Sequence, residues 1–147
     1  MVNKIVSEIF SENNINYNTG IYILPDNTIS NTPKKSSINA IGIDTALFWI
    51  EKNKNIYIET EMYIIKDEKS ALFNHKAYKL HVKTIENKKL ITLLEKDMFS
   101  NRDDARIYAI KKVFNNDFNK KDYTNINSQD VINKVNAIFD RFNNLFK

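Results

Sequence analysis

The chain has 147 residues and a net charge of +4, with 42% apolar and 27% charged residues. These proportions are typical of globular proteins and exclude a disordered chain, and the length suits a single domain. Cysteine is absent and there are only two glycines, which excludes disulfides, thiolate metal centres, a cysteine nucleophile and a glycine-rich phosphate-binding loop.

The amino-terminal part predicts one helix, one strand and one long loop. Apolar residues at helical spacing predict an amphipathic helix over 2–12. The β-branched residues of 20–24 favour a short strand, and the Pro-Asp-Asn sequence at 25–27 predicts a type I turn. The polar run 31–37 is typical of a surface loop.

Segment 38–50 has two interpretations. Asp44 and Thr45 are residue types that cap helices, which favours a short helix through Trp49. The β-branched and aromatic content, followed by the polar run 51–55, instead favours a strand and a turn. We expect the strand.

Three further strands are predicted in the middle of the chain. Residues 56–66 and 77–85 alternate between apolar and polar side chains, and a strand over 89–95 follows a turn at Asn87. The even-numbered positions of the first two strands are apolar, so we expect them to face the core. The residues expected to be buried include Trp49, Ile58, Met62, Leu80, Val82 and Ile91.

Two helices are predicted at the carboxyl end. Ser100, with Asp103 three residues later, predicts the start of the first helix. Residues 114–127 form a polar connector, and apolar residues in steps of three and four predict a last helix over 128–146. Consecutive strands joined by short turns pair antiparallel, and helices at the chain ends are typical of α+β proteins. We therefore expect a single α+β domain over 1–147, an antiparallel meander of about five strands with one N-terminal and two C-terminal helices.

One face of this meander can be assembled from the strand periodicity. Because side chains alternate along a strand, a register that pairs even positions with even positions puts the odd positions together on an outer face. If a tight turn lies within 52–54, Asp44 joins that face near Glu59 and Glu61. The expected outer face comprises Asp44, Tyr57, Glu59, Glu61, Tyr63, Lys79, His81 and Lys83.

The outer face has several interpretations. The simplest is a solvated sheet with cross-strand ion pairs, since charges of alternating sign are typical of exposed sheet faces. A second is a metal-dependent nuclease-like site in which Asp44, Glu59 and Glu61 bind Mg²⁺, a cation that needs few protein oxygens. An Asp followed by two acidic residues at i and i+2 is similar to a common nuclease hairpin, but Glu61 stands where that hairpin has its lysine.

A third interpretation is nucleic-acid binding on the sheet. Tyr57 and Tyr63 would stack on bases while Lys79 and Lys83 bind phosphates. The two glutamates between the tyrosines would repel a phosphate backbone, which weighs against this interpretation.

The last predicted helix presents a broad apolar stripe that includes Phe142 and Phe146. Such a stripe packs on the core of its own domain or against another chain. Because the polar connector makes this helix detachable, we include both phenylalanines among the candidate binding residues.

The function that we expect is a small non-enzymatic protein-binding module whose partner is another protein or a second copy of the chain. No cofactor motif stands out, and no apolar run suits a membrane span or a signal peptide, so we expect a cytoplasmic protein without a cofactor. The 22 Asn, 21 Ile and 19 Lys reflect A/T-rich codons, which suits an accessory, assembly or inhibitor protein of a phage or mobile element. The candidate binding residues are Tyr57, Tyr63, Lys79, His81, Lys83, Phe142 and Phe146.

Overall fold

The structure of the protein is a computed structural model that describes residues 1–118 and residue 141. Residues 1–118 form three α-helices and six β-strands. In chain order these elements are α1 (Lys4–Glu12), β1 (Tyr22–Ile23), β2 (Ile29–Ser30), β3 (Ile38–Asn39), α2 (Ile43–Lys54), β4 (Ile56–Ile64), β5 (Lys76–Glu86), β6 (Lys89–Phe99) and α3 (Arg102–Phe114).

Within residues 1–118, the strands form two antiparallel sheets of three strands each, one in the order β2-β1-β3 and one in the order β4-β5-β6. The α+β class and the antiparallel pairing are as predicted. The strands do not form one continuous meander, because the segment between the two sheets is helical.

Helix α2 replaces the strand and turn that were predicted over 38–55, apart from the short strand β3. Asp44 lies in its first turn, where a carboxylate is favoured by the helix dipole. Asn55 ends it in the left-handed conformation, with a φ of 55°, which asparagine adopts more readily than most residues. The strand prediction was wrong because it gave more weight to β-branched content than to helical spacing. The apolar residues that recur at helical spacing are Ile43, Ala46, Leu47 and Ile50.

Two polar side chains anchor the start of helix α1. Asn3 caps the helix, with its Oδ1 accepting a hydrogen bond from the backbone N–H of Val6 at 3.0 Å. Ser7 is fully buried, and its Oγ accepts a hydrogen bond from the backbone N–H of Ile41 at 2.8 Å and donates to the carbonyl of Asn3 at 2.7 Å. The helix is therefore bonded to the segment that leads from β3 into α2.

Three aromatic rings join the three helices. Phe10 of α1 packs edge-to-face against Trp49 of α2 and Phe114 of α3, with ring centroids 5.4 and 5.3 Å apart. Trp49 and Phe114 stack on each other at 5.9 Å. Such pairs add roughly 0.5–1.5 kcal/mol each beyond the burial of their area. The rings belong to the first of two hydrophobic cores, whose buried residues are Val6, Phe10, Ile41, Ala46, Ile50, Ile110 and Val113.

Helix α3 is shared between the two cores. Its Ile110 and Val113 belong to the first core, whereas its Ala105 and Ala109 belong to the second, which lies between α3 and the β4-β5-β6 sheet. Both alanines are fully buried, and their small side chains let the helix backbone approach the sheet closely. The other buried residues of the second core are Leu80, Val82 and Leu93.

Helix α3 begins and ends close to the predicted positions. Asn101 caps it, one residue after the predicted Ser100, and its Oδ1 accepts a hydrogen bond from the backbone N–H of Asp104 at 2.8 Å. The helix ends at Phe114, where the polar connector was predicted to begin.

The β4-β5-β6 sheet has the alternation that the sequence predicts. Ile58 pairs with Val82 and Glu59 pairs with His81, so even and odd positions of β4 and β5 lie on opposite faces. Val82 is fully buried and Ile58 is half-buried. Met62 was expected to be buried, but it is 52% exposed because it lies near the end of β4, beyond the residues of the second core.

The remainder of the predicted connector and the predicted helix 128–146 lie outside the described residues, apart from residue 141. Phe118, at the end of the continuous described segment, is partly buried and packs against both cores. In the described part of the chain, no helix is both long enough and apolar enough to cross a lipid bilayer.

The substitution Ala109→Leu should lower the free energy of unfolding by about 1–3 kcal/mol, because the added carbon atoms have no space between α3 and the sheet. Urea unfolding followed by circular dichroism measures this change. Lys111→Leu places the same side chain at an exposed position of the same helix and should change stability by less than about 0.5 kcal/mol. Equal losses in the two variants would contradict close packing of α3 on the sheet.

Candidate functional site

The face of the β4-β5-β6 sheet opposite to α3, which we name the outer face, displays the predicted polar side chains. The cross-strand pairs of β4 and β5 on this face are Tyr57–Lys83, Glu59–His81, Glu61–Lys79 and Tyr63–Ala77. From β6, Glu95 pairs with His81 and Thr92 pairs with Lys83. Every residue predicted for the outer face lies on it except Asp44.

His81 lies at the centre of the outer face, between two carboxylates. Its Nε2 is 3.1 Å from Oε2 of Glu61 on β4, and its Nδ1 is 3.2 Å from Oε1 of Glu95 on β6. The side chain of His81 is only 16% exposed. A neutral imidazole has one N–H, so both hydrogen bonds form together only when the ring is protonated. In that state a charge-assisted chain of hydrogen bonds links the three strands.

Both lysines of the outer face lie beside carboxylates of the same face. Lys83 Nζ is 3.5 Å from Oε2 of Glu59, and Lys79 Nζ is 3.8 Å from Oε2 of Glu95. Exposed pairs of this kind contribute at most about 1 kcal/mol each to stability. Their main effect is on the charge of the surface, because each lysine charge is balanced by a neighbouring carboxylate of the sheet.

The outer face is acidic although the chain is basic. Among residues 1–118, the charged side chains of this face are Glu59, Glu61, Glu95, Asp97, Lys79 and Lys83, together with His81 when that is protonated. The four carboxylates outnumber the two lysines, so the face has a charge of −2 while His81 is neutral. Because the whole chain has a net charge of +4, the remaining residues together have a charge of +6.

A tyrosine–aspartate hydrogen bond closes one end of the outer face. The Tyr63 hydroxyl donates to Oδ1 of Asp97, and the backbone N–H of Met98 donates to the same oxygen at 2.7 Å. The bond from Tyr63 is the main reason why the pKa of Asp97 lies below its usual value, with Met98 N–H and the charge of Lys79 acting in the same direction. The same bond raises the pKa of Tyr63.

Sequence reasoning did not identify Glu95 and Asp97 as part of this surface. A register continued without interruption from the turn at Asn87 places Leu94, not Glu95, opposite His81. The pairing of β5 with β6 shifts between Val82 and Lys83, which moves Glu95 opposite His81, and it shifts again between Tyr78 and Leu80. A bulge interrupts the alternation of side chains, so the pattern of period two that would have indicated these two residues is absent.

Asp44 lies on a different part of the molecule from the position predicted for it. It is in the first turn of α2, its side chain is 91% exposed, and its Oδ1 is 3.5 Å from Nη1 of Arg106 on α3. The prediction that Asp44 lies near Glu59 and Glu61 depended on a strand and a tight turn before β4, and both are replaced by α2.

Each of the two glutamates considered for the metal site lies beside a different basic side chain of the outer face. Glu59 lies beside Lys83, and Glu61 lies beside His81. Among the described residues, there is no group of three or more His, Asp or Glu side chains placed to bind one metal ion. The geometry therefore gives no support to the Mg²⁺ site that was considered for Asp44, Glu59 and Glu61.

The remaining candidate binding residues, Phe142 and Phe146, lie outside the described residues. Comparisons of the chain with protein families, with curated proteins and with solved structures gave no match.

The substitution Tyr63→Phe should raise the pKa of Asp97, because it removes the hydrogen bond that stabilises the ionised carboxylate. The folded-state pKa of Asp97 is depressed, so its stabilising effect is present above the unfolded-state pKa and is lost as the pH falls through the folded-state pKa. The variant should therefore be less stable than the wild type near neutral pH, and this difference should disappear in acid.

Carboxyl ¹³C chemical shifts measure the pKa, and urea unfolding at several pH values measures the stability. Tyr57→Phe is the matched control, since the Tyr57 hydroxyl bonds to Oδ1 of Asn55 at 3.3 Å and not to a carboxylate. An unchanged pKa of Asp97 in Tyr63→Phe would show that the tyrosine does not stabilise the carboxylate.

Proposed function

We propose that the protein is a non-enzymatic protein-binding module and that the outer face of the β4-β5-β6 sheet receives a partner with a basic surface. The observation on which this rests is the excess of acidic over basic side chains on this face, with four carboxylates against two lysines, in a chain whose net charge is +4. A surface of this sign attracts Lys and Arg side chains of another protein.

The same charge argues against nucleic acid as the ligand of this face. Binding to a phosphate backbone depends on Lys and Arg that replace condensed counterions. The two lysines here lie beside Glu59 and Glu95, and a polyanion would also meet Glu61 and Asp97. A base stacked on either tyrosine would bring its phosphate close to these carboxylates, which would repel it. A protein partner therefore suits this face better than a nucleic acid.

The outer face is also pre-organised for binding. His81 is held from both sides, Tyr63 is bonded to Asp97, and Lys83 lies beside Glu59. Side chains that are already ordered lose less conformational entropy when a partner binds, and this loss is about 0.5–1.5 kcal/mol for each freely rotating side chain. Tyrosine is, in addition, enriched at protein interfaces.

Selection from a displayed library of random peptides tests this proposal without knowledge of the partner. We expect the wild-type chain to enrich peptides rich in Lys and Arg. The double substitution Glu61→Gln/Glu95→Gln should lower the affinity for the selected peptides by about tenfold, because it removes two of the four carboxylates of the face. Isothermal titration calorimetry measures the affinities.

Glu12→Gln/Glu51→Gln is the matched control, since it removes the same charge from exposed positions of α1 and α2. It should bind the selected peptides as the wild type does. Equal weakening by the two double variants, or tighter binding of oligonucleotides than of any peptide to the outer face, would contradict the proposal.

The alternative of a metal-dependent nuclease has a test of its own. A divalent cation that binds the folded state raises the melting temperature by linkage. We expect millimolar Mg²⁺ or Mn²⁺ to shift the melting temperature of the wild type and of Glu59→Ala equally, because Asp44 is bound to Arg106 and does not join Glu59. A shift that is lost in Glu59→Ala would favour a metal site and oppose the binding module.

A further inference from the structure

The two edges of the β4-β5-β6 sheet differ in regularity. In the described part of the chain, β4 and β6 each pair with β5 alone. A strand at a sheet edge has N–H and C=O groups that point away from its neighbour, and these groups can bond to an added strand. The regularity of an edge strand decides how readily it pairs with an added strand.

Strand β6 has features that discourage pairing. Its register against β5 shifts twice, and irregularities of this kind bend and twist an edge away from a new neighbour. Strand β4 has no such interruption, because its nine residues from Ile56 to Ile64 pair with β5 in one continuous register. It contains neither proline nor glycine. Edge β4 is therefore the regular one.

The outer side of β4 has a defined chemical pattern. Glu59 and Glu61 stand at its centre with 62% and 67% of their side chains exposed, and they are flanked by Tyr57 and Tyr63. Lys83 and His81 contact these carboxylates from the β5 side. On the opposite face of the same strand, Met62 is 52% exposed.

This pattern opposes pairing of β4 with a second copy of itself. In a two-fold antiparallel arrangement centred on Thr60, Glu59 of one copy lies directly opposite Glu61 of the other, on both sides of the axis. Moving the axis to Glu59 or to Glu61 places that residue opposite its own copy. Like charges directly opposite each other on neighbouring strands are destabilising, so the longest registers are all unfavourable.

We propose that edge β4 binds an extended segment of a different protein by strand addition, and that this segment has Lys or Arg at alternate positions with apolar residues between them. This inference rests on the proposed function and specifies its partner. In the added strand, cationic side chains lie opposite Glu59 and Glu61, and the apolar side chains point to the face of Met62. The backbone groups of β4 supply the hydrogen bonds.

A synthetic peptide of the sequence Thr-Val-Lys-Val-Lys-Val-Thr, acetylated and amidated at its ends, is the probe. Isothermal titration calorimetry with the full chain measures its affinity. We expect the peptide to bind more than about tenfold tighter than a peptide of the same composition in which the lysines are adjacent, because alternation brings both charges to one face.

Backbone methylation of the peptide tests the mode of binding. In an antiparallel or parallel added strand, the N–H groups of alternate residues point to the same side. Methylation of the nitrogens of one alternate set, either the valines or the lysines, should weaken binding by more than about tenfold, whereas methylation of the other set should leave it nearly unchanged. Hydrogen exchange should slow at alternate amides of β4 when the unmethylated peptide binds.

The double variant Glu59→Gln/Glu61→Gln should bind the probe about tenfold more weakly, with Glu12→Gln/Glu51→Gln as the control of equal charge. Circular dichroism and thermal unfolding establish that each variant is folded. Loss of affinity in the Glu59/Glu61 variant together with sensitivity to one methylated set supports strand addition to β4.

Equal effects of the two methylated sets, with affinity still dependent on the glutamates, would overturn strand addition and leave the binding function of the outer face intact. Absence of binding by the probe, or equal binding by all variants, would overturn the choice of a basic strand at β4. The proposed function fails separately, when the peptide library yields no ligand of the outer face.

Discussion

Helix α3 has to pack against two different surfaces, and the arrangement of the other elements depends on it. On one side, Ala105 and Ala109 bring the helix backbone close to the β4-β5-β6 sheet. On another side of the helix, Ile110 and Val113 pack in the core that α3 shares with α1 and α2. Because α3 contributes residues to both cores, it fixes the position of the sheet relative to α1 and α2. The outer face of the sheet is therefore directed away from these helices.

The strands β4 and β5 of this sheet could be predicted because the alternation of apolar and polar side chains is enough to locate them. Side chains alternate along β4 and β5, and a shift by one residue would expose Val82 and bury Glu59. The burial of apolar surface therefore selects one register, and that register can be read from Ile58, Leu80 and their neighbours. The residues of the outer face follow from the same alternation, which is why Tyr57, Glu61 and most of the others were placed correctly.

Two features were missed for different reasons. The segment that forms α2 contains conflicting local signals, apolar residues at helical spacing and strong β-forming residues, and its helix is stabilised by tertiary contacts such as that of Trp49 with Phe10 and Phe114. The positions of Glu95 and Asp97 depend on irregular pairing between β5 and β6. A bulge changes which residues are opposite each other without leaving a clear mark in the sequence.

The uneven distribution of charge has a kinetic consequence. Four carboxylates against two lysines on one sheet face, in a chain of net charge +4, would turn a cationic molecule towards that face before the two surfaces touch. At cellular ionic strength this orienting field extends over roughly 8 Å, about the last few water layers of the approach. Ionic strength should therefore act mainly on the rate of encounter, whereas the lifetime of a complex depends on the contacts formed afterwards.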